Sequence, residues 1–177
     1  MKTFQMLIIA LLLLNLVGCN QEEAAANAAP SSTAHAKPDS YFPLTLGNEK
    51  IRVQLAILPS EQAEGLMYRQ KLAENDGMLF IFPSAGQRSF WMKNVDIPLD
   101  VGYIRTDGVL REVYPMYPHV EKGVKSDSDE IQYVLEMNQG WYKNHKVYPG
   151  VQLDFAEIAS AMQARGFDPA NYGVPTQ

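Results

Sequence analysis

Apolar and polar residues alternate with a period of two in one stretch soon after Tyr41, which is the pattern of a β-strand with one covered face. Residues 50–58, KIRVQLAIL, place apolar side chains at every second position up to Ile57, so the positions between them are expected to face water. GMLFIF, residues 77–82, is apolar at every position after its glycine. It predicts a strand that is covered on both faces.

Further strands follow along the chain. Residues 98–116 predict a β-hairpin, because Asp107-Gly108 is a favoured two-residue turn between apolar-rich runs. EIQYVLEMN, residues 130–138, and VQLDFAEI, residues 151–158, predict two more strands. Many short strands with few helices predict a mainly β fold, a compact single-domain barrel or sandwich.

One short helix is predicted between the first two of these strands. Pro59 is expected to end the first strand, and Ser60 to cap a helix with Glu61 and Glu64 in its first turn, where carboxylates suit the helix dipole. Its mostly apolar stripe is formed by Ala63, Leu66, Met67 and Gln70. A second short helix, over residues 156–165, is expected to pack loosely at the C terminus.

The N terminus predicts export. Lys2 precedes an apolar run over residues 6–14 and small residues before Cys19, which is the layout of a secretory signal. The run is shorter than the roughly 20 residues that a membrane span needs. Leu16 to Cys19 resemble the bacterial lipobox, in which the peptide is cut before the cysteine and its thiol carries the lipid. An ordinary signal peptide with a chance cysteine is the alternative.

This resemblance makes the membrane a partner through lipid at Cys19. In such lipoproteins an aspartate after the cysteine retains the protein at the inner membrane, whereas here Asn20 favours the outer membrane of a two-membraned bacterium, with the domain facing the periplasm. The polar, alanine-rich stretch that follows has no apolar face to bury and predicts a flexible tether. The expected division is 1–18 signal peptide, 19–40 lipidated cysteine and tether, 41–155 β-rich domain and 156–177 helical tail.

Charge and inventory exclude several function classes. The formal net charge of −5 disfavours nucleic acid as the main partner, because the phosphate backbone would repel the chain. Ser84 and Ser89 lack a nucleophile-elbow context, and His119 and His145 have no metal-ligand spacing. Neither a metal nor a cofactor is predicted. Five methionines offer thioethers to copper(I), but core packing is the favoured interpretation for Met67, Met78, Met92, Met116 and Met137.

Five motifs together resemble a known family. They are GLMYR (65–69), GMLFIF (77–82), FWMKN (90–94), IPLD (97–100) and LEMNQG (135–140). In this combination they are similar to the bacterial and archaeal domain of unknown function 192, over about residues 41–154. The resemblance implies a small β barrel or sandwich with a short helix and brings no established activity.

The residue types of the family motifs are intact at most positions of interest. They are retained at Arg69, Trp91, Met92, Lys93, Asn94, Asp100 and Glu136. Two departures stand out: Val95 occupies a position where a threonine is common, and Gln139 one where a small residue is usual. A ligand that depended on the threonine hydroxyl would be bound differently by this chain.

FWMKN is expected to serve both the core and a site. On a strand, Phe90 and Met92 would share the core face, while Trp91 and Lys93 would share the other. An indole beside a cation and the amide of Asn94 suits a sugar ring or another small polar ligand. The predicted ligand-binding set is Arg69, Trp91, Lys93, Asn94, Asp100 and Glu136.

The sequence favours a binding module over an enzyme, with two alternatives open. Asp100 and Glu136 would serve as acid and base of an envelope glycan hydrolase if they faced each other across a cleft. Buried carboxylates more often pair with arginine, here Arg69 or Arg88, because an unpaired buried charge is costly. The second alternative is a purely structural or assembly role, and an envelope partner could take the place of the small ligand.

Overall fold

The structure of the protein is a computed structural model that describes residues 35–176. The predicted signal peptide, Cys19 and most of the predicted tether lie outside the described residues. Six strands form the main sheet, and they are β1 (Phe42–Leu46), β2 (Glu49–Ala56), β3 (Asp76–Gly86), β5 (Leu99–Arg105), β6 (Leu110–Met116) and β8 (Ile131–Asn138). The remaining elements are a two-stranded ribbon of β4 (Ser89–Phe90) and β7 (Val124–Lys125), three helices, α1 (Pro59–Glu64), α2 (Trp141–Asn144) and α3 (Phe155–Ala164), and a 3-10 turn (Pro169–Tyr172).

The main sheet is mixed and does not close into a barrel. Its strand order is β1-β2-β3-β8-β5-β6, so β1 and β6 are its edges. Neighbouring strands are antiparallel except β2 and β3, which are parallel because α1 connects them. The predicted mainly β class is confirmed, as a compact sandwich-like fold rather than a closed barrel.

Both faces of the sheet are covered, and each covers a separate hydrophobic core. We call them the helix-side core, which includes residues of α2 and α3, and the loop-side core, which is covered by β4 and the segment that follows it. Leu79 and Ile81 face the helix side, whereas Met78 and Phe80 face the loop side. The prediction that GMLFIF is covered on both faces is therefore confirmed.

The predicted hairpin is confirmed, but its turn differs. Strands β5 and β6 pair, and the loop is closed by hydrogen bonds from Gly108 N to Arg105 O and from Arg105 N to Val109 O, each 3.0 Å long. Gly108 has a φ of +79°, which makes this a three-residue loop that ends in a left-handed glycine. The two-residue turn expected at Asp107-Gly108 is wrong by one residue.

The C-terminal region contains the largest departures from the sequence-based expectations. Residues 151–158 do not form a strand, because only isolated bridges join Leu153 to Leu46 and Gln152 to Val109 before α3 begins. Asp154 caps that helix, because its Oδ1 accepts hydrogen bonds from Ala156 N at 2.8 Å and from Glu157 N at 3.2 Å. Helix α3 also packs tightly, since its buried side chains belong to the helix-side core, and they are Ile158, Ala159, Ala161 and Met162.

Helix α1 is present, but its predicted cap and its predicted apolar stripe are both wrong: the helix begins at Pro59, so Ser60 lies inside it. The helix ends at Glu64, none of its residues is buried, and Leu66 and Met67 lie beyond its end. Polar contacts hold it instead: Gln62 Nε2 donates to Ile81 O at 2.9 Å, and Glu61 pairs with Arg165. None of the helices in residues 35–176 combines the length and hydropathy of a membrane span.

Candidate functional site

The candidate site is built around the loop that follows β4. The strand expected over FWMK is only two residues long, yet the predicted alternation of burial survives in the loop. Met92 is 1% exposed and belongs to the loop-side core, while the side chain of Trp91 is 46% exposed. Lys93 places its Nζ 5.2 Å from the centroid of the Trp91 ring. The indole is therefore presented to solvent beside a cation.

Phe90 holds this loop to the sheet. Its ring is half-buried and meets Phe80 edge to face at 4.7 Å between ring centroids, with Tyr103 at 6.2 Å. Phe80 and Tyr103 are fully buried in the loop-side core. The interpretation of Phe90 and Met92 as core residues agrees with these contacts, which fix the position at which Trp91 leaves the core.

Strained backbone converges on the same loop. Among residues 35–176, four non-glycine residues have a positive φ, and three of them, Tyr68 (62°), Asn94 (56°) and His119 (62°), meet here. Tyr68 N donates to Asn94 O at 2.8 Å, and Asn94 Nδ2 donates to the Tyr68 hydroxyl at 3.1 Å. His119 N donates to Met92 O at 3.1 Å. Each such conformation costs about 1 to 3 kcal/mol and persists where surrounding contacts impose it, commonly at binding and catalytic sites.

A small cavity of about 30 Å³ lies between this loop and the segment after α1. We call it the Glu136 cavity. Its walls are mostly apolar and include Leu66, Phe80, Phe90, Trp91 and Val95, with Glu136 among them. The volume suits one water-sized group, since a cavity of about 10 to 15 Å³ by this measure holds one water. A sugar ring does not fit inside it.

Glu136 is a buried carboxyl residue of the main sheet. It lies in the central strand β8, between Met78 of β3 and Val101 of β5, and it is only 4% exposed. No group in residues 35–176 donates a hydrogen bond to its carboxyl or pairs with it. Burial raises the pKa of Glu136 to about 8, because the charged form has lost its hydration and nothing replaces it. A substantial fraction of this carboxyl is therefore protonated near neutral pH.

A second cavity of about 130 Å³ lies beside the first. We call it the Arg69 cavity. Arg69 Nη2 donates to Gln54 Oε1 at 2.5 Å, and Gln54 Nε2 donates to Asp39 O at 2.8 Å. Glu64 and Gly65 line both cavities, so the chain that leaves α1 forms the wall between them. The shared wall therefore contains Glu64 and Gly65, and Gly65 has a φ of +51°.

Asp100 is not part of this arrangement. It pairs with Met137 of the helix-side core, whereas Glu136 pairs with Val101 of the loop-side core, so the two carboxyls point to opposite faces of the sheet. Asp100 Oδ2 accepts a hydrogen bond from Gly140 N at 2.8 Å, at the start of α2. Burial raises the pKa of Asp100, and the Gly140 N–H partly opposes that rise. Asp100 therefore secures a helix and does not face Glu136 across a cleft.

The two arginines considered as partners of these carboxyls are engaged elsewhere. Arg69 binds Gln54, and Arg88 donates to Ile131 O at 3.3 Å while its guanidinium lies 3.9 Å from the Phe82 ring centroid. Within the described part of the chain, no group of three or more histidine, cysteine, aspartate or glutamate side chains is arranged to hold a metal ion. Four of the five methionines weighed as copper ligands are buried in the two cores, and they are Met78, Met92, Met116 and Met137.

Sequence reasoning missed Tyr68 and Gln54. Tyr68 stands within the GLMYR motif, and its large exposed ring in a left-handed conformation is visible only in the structure. Gln54 was expected on the wet face of β2, yet it is 2% exposed because the segment containing Arg69 covers that face. A polar residue inside a run of apolar ones was the available signal.

The sequence profile of domain of unknown function 192, described as Uncharacterized ACR, matches residues 43–155. The chain belongs to this family. The match contains the two cavities' residues from Gln54 to Glu136, whereas most of α3 lies beyond it. No curated protein matches the chain.

Two solved structures are similar to the chain. One is from Sinorhizobium meliloti 1021 and is described provisionally as a transcription regulator; it is 36% identical, with a TM-score of 0.62, over 65% of this chain and 93% of that one. The other is a protein of unknown function from Novosphingobium aromaticivorans DSM 12444, 29% identical with a TM-score of 0.63, over 68% of this chain and 92% of that one.

Proposed function

We propose that this chain is a lipid-anchored envelope protein whose domain binds a small polar ligand, such as a saccharide, at the Trp91 surface. That surface consists of Tyr68, Trp91, Lys93 and Asn94. The single observation that carries the proposal is the exposed Trp91 indole, held in place by strained neighbours that bond to one another. These conformations cost stability, so their position around an exposed indole supports a binding role for the indole.

The chemistry of the surface suits a ring with an apolar face and polar edges. The indole provides a flat apolar area, and Lys93 and Asn94 supply donors beside it. The neighbouring Arg69 cavity adds a guanidinium, an amide and the carboxylate of Glu64. A ligand that stacks on Trp91 would find hydrogen-bonding groups on more than one side.

Binding is favoured over glycan hydrolysis by the position of the carboxyls. A glycosidase needs two carboxyls that flank one bond, about 5 to 10 Å apart across a cleft. Asp100 and Glu136 face opposite sides of the sheet, and the sheet itself separates them. This arrangement supports a binding module in preference to an acid–base pair.

A titration followed through the two tryptophans tests the proposal. We expect neutral mono- and disaccharides to shift the indole N–H resonance of Trp91, because its ring is exposed, while leaving that of Trp141 in place. Trp141 is a suitable internal control, since it is buried and its Nε1 donates to Asn75 Oδ1 at 2.9 Å. The measurement is a nitrogen–proton correlation spectrum of the chain without its predicted signal peptide, with Cys19→Ser. Trp91→Ala should abolish saccharide binding. If saccharides bind equally well to that variant, the Trp91 surface is not the site.

The lipid anchor is tested by Cys19→Ser. We expect this variant to move from the membrane to the soluble fraction with its domain folded, because acyl chains contribute about 0.8 kcal/mol per buried methylene and this chain has a single cysteine to carry them. Asn20→Asp is the matched control, which should stay membrane-bound but change from the outer to the inner membrane. Fractionation with immunodetection measures both. A Cys19→Ser chain that still resists extraction from the membrane would contradict lipidation as the anchor.

A further inference from the structure

The carboxyl of Glu136 has no partner within residues 35–176, although it is 4% exposed and lines a cavity. A buried carboxyl normally accepts hydrogen bonds or pairs with a cation, because its desolvation is otherwise uncompensated. Here neither occurs, and the neighbours across the sheet are the apolar side chains of Met78 and Val101. The one place from which a partner can approach is the cavity.

The cavity limits the size of that partner. Its volume is about 30 Å³, which admits a group of the size of water or of an ammonium group and excludes a ring. Three aromatic rings line it, those of Phe80, Phe90 and Trp91. Aromatic faces attract cations, most strongly where the cation has been taken out of water. The size and the walls together suit a primary ammonium group.

The charges around the cavity also favour a cation over an anion. Glu64 lines the same cavity and is the only other carboxylate among its lining residues. Tyr103, on the same face, donates its hydroxyl proton to Val124 O at 2.6 Å, and Gln62 donates to Ile81 O. Asp100 and Tyr142 lie on the opposite face. Lys93 is not among the lining residues of the cavity, and its Nζ lies over the Trp91 ring.

We propose that the Glu136 cavity receives a primary ammonium group of the ligand, so that the ligand class is a small amine-bearing molecule such as an amino sugar. The ammonium group would enter beside Trp91 and donate to the Glu136 carboxylate, while the rest of the molecule stacks on the indole outside. This inference rests on the proposed binding at the Trp91 surface and adds the chemical group that the surface selects.

The test compares glucosamine with N-acetylglucosamine, which has the same ring but an acetylated, uncharged nitrogen. We expect glucosamine to bind at least about 30-fold more tightly at neutral pH, because removing one member of a buried charged pair costs a large fraction of the binding free energy. Glu136→Gln is expected to remove that preference. Glu121→Gln removes an exposed carboxylate that lines neither cavity and should change nothing. Calorimetric or spectroscopic titration gives the affinities, and the melting temperature of each variant reports its folding.

Methylammonium provides a second measurement that needs no variant. Its amine stays protonated at pH 6 to 9, as a lysine does, whereas Glu136 with a pKa of about 8 must lose its proton to pair with it. The affinity of the wild-type chain for methylammonium is therefore expected to rise as the pH is raised towards 8, and saturating methylammonium to lower the pKa of Glu136 in a carboxyl-carbon titration. Tetramethylammonium, which is too large for the cavity, should produce neither effect.

The outcomes separate this inference from the proposed function. Equal affinities for glucosamine and N-acetylglucosamine, both lost in Trp91→Ala, would overturn the ammonium assignment and leave saccharide binding intact. A pKa of Glu136 that methylammonium does not move would also overturn it, and would indicate that the cavity holds water only. No response of the Trp91 indole to any sugar, together with methylammonium binding that depends on Glu136, would support the ammonium site and count against a saccharide ligand.

Discussion

Arg165→Met is expected to lower the free energy of unfolding by about 3 to 5 kcal/mol, because it removes one partner of a buried ion pair. The Arg165 side chain is 3% exposed; it pairs with Glu61 and donates from Nη1 to Leu55 O at 3.0 Å. Helix α1 buries none of its own residues, so this pair is a main tie between α1 and the C-terminal region. Urea unfolding of the chain followed by circular dichroism measures the loss.

The double variant Arg165→Met with Glu61→Gln is the control. It removes both charges, and we expect it to be more stable than Arg165→Met alone, since the single variant leaves a carboxylate in a largely buried place without its cation. If Arg165→Met costs less than about 1 kcal/mol, other contacts hold α1. The shape of the two cavities should change as well in Arg165→Met, because α1 leads directly into Gly65, which lines both of them.

The same pair gives the domain an acid-dependent component of stability. Burial alone would raise the pKa of Glu61, but hydrogen bonds from the Leu58 and Ile57 amides and the Arg165 guanidinium outweigh it and lower that pKa. A carboxyl with a lowered pKa in the folded state stabilises the fold above its unfolded pKa of about 4.3, and this stabilisation is lost as the pH falls through the lower folded value. The loss in acid should therefore be smaller in Arg165→Met.

Gly77→Ala is expected to cost about 3 kcal/mol, at the upper end for overpacking in a protein core. A Cβ at this position would lie 2.5 Å from the Glu136 carbonyl oxygen and would also collide with Met137 Sδ. The thioether can move aside, but the carbonyl is part of the backbone of β8, the strand that pairs with β3. The two central strands would have to separate. Denaturant unfolding measures the effect.

Gly86→Ala provides a matched control in the same strand. A Cβ there would meet only the guanidinium of Arg88, at 3.6 Å or more, so the change should stay within about 0.5 kcal/mol. Similar stabilities of the two variants would show that the spacing of β3 and β8 adapts without cost. Because the Gly77 contact is with the backbone of Glu136, Gly77→Ala should also weaken amine binding in whatever fraction remains folded.

The local pattern of the sequence determined the strands and the burial of the motif at the centre of the site. Alternation with a period of two predicted β2, and a favoured turn between apolar-rich runs predicted the β5–β6 hairpin. An apolar-rich run predicted β8, and the unbroken apolar run predicted that β3 is covered on both faces. The alternation of faces expected over FWMK also separated buried Met92 from exposed Trp91, although the chain there is a loop. These features depend on residues that are neighbours in the sequence. Burial of an apolar side chain is favourable whether the backbone that carries it is extended or irregular, so the prediction of burial did not require a strand.

Only the tertiary structure decided which polar residues meet. The register of β5 against β8 pairs Asp100 with Met137 and Glu136 with Val101, which places the two carboxyls on opposite faces. A shift of one strand by one residue would move its side chains to the other face and bring the two carboxyls to the same side. The chain after α1 covers β2, which buries Gln54, and Asp154 caps a helix where residues 151–158 were predicted to form a strand. The sequence by itself determined β2, β3, the β5–β6 hairpin, β8 and the family, because these depend on local residue types. Sheet order, register and the approach of distant loops decided the cavity, because they join residues far apart in the chain.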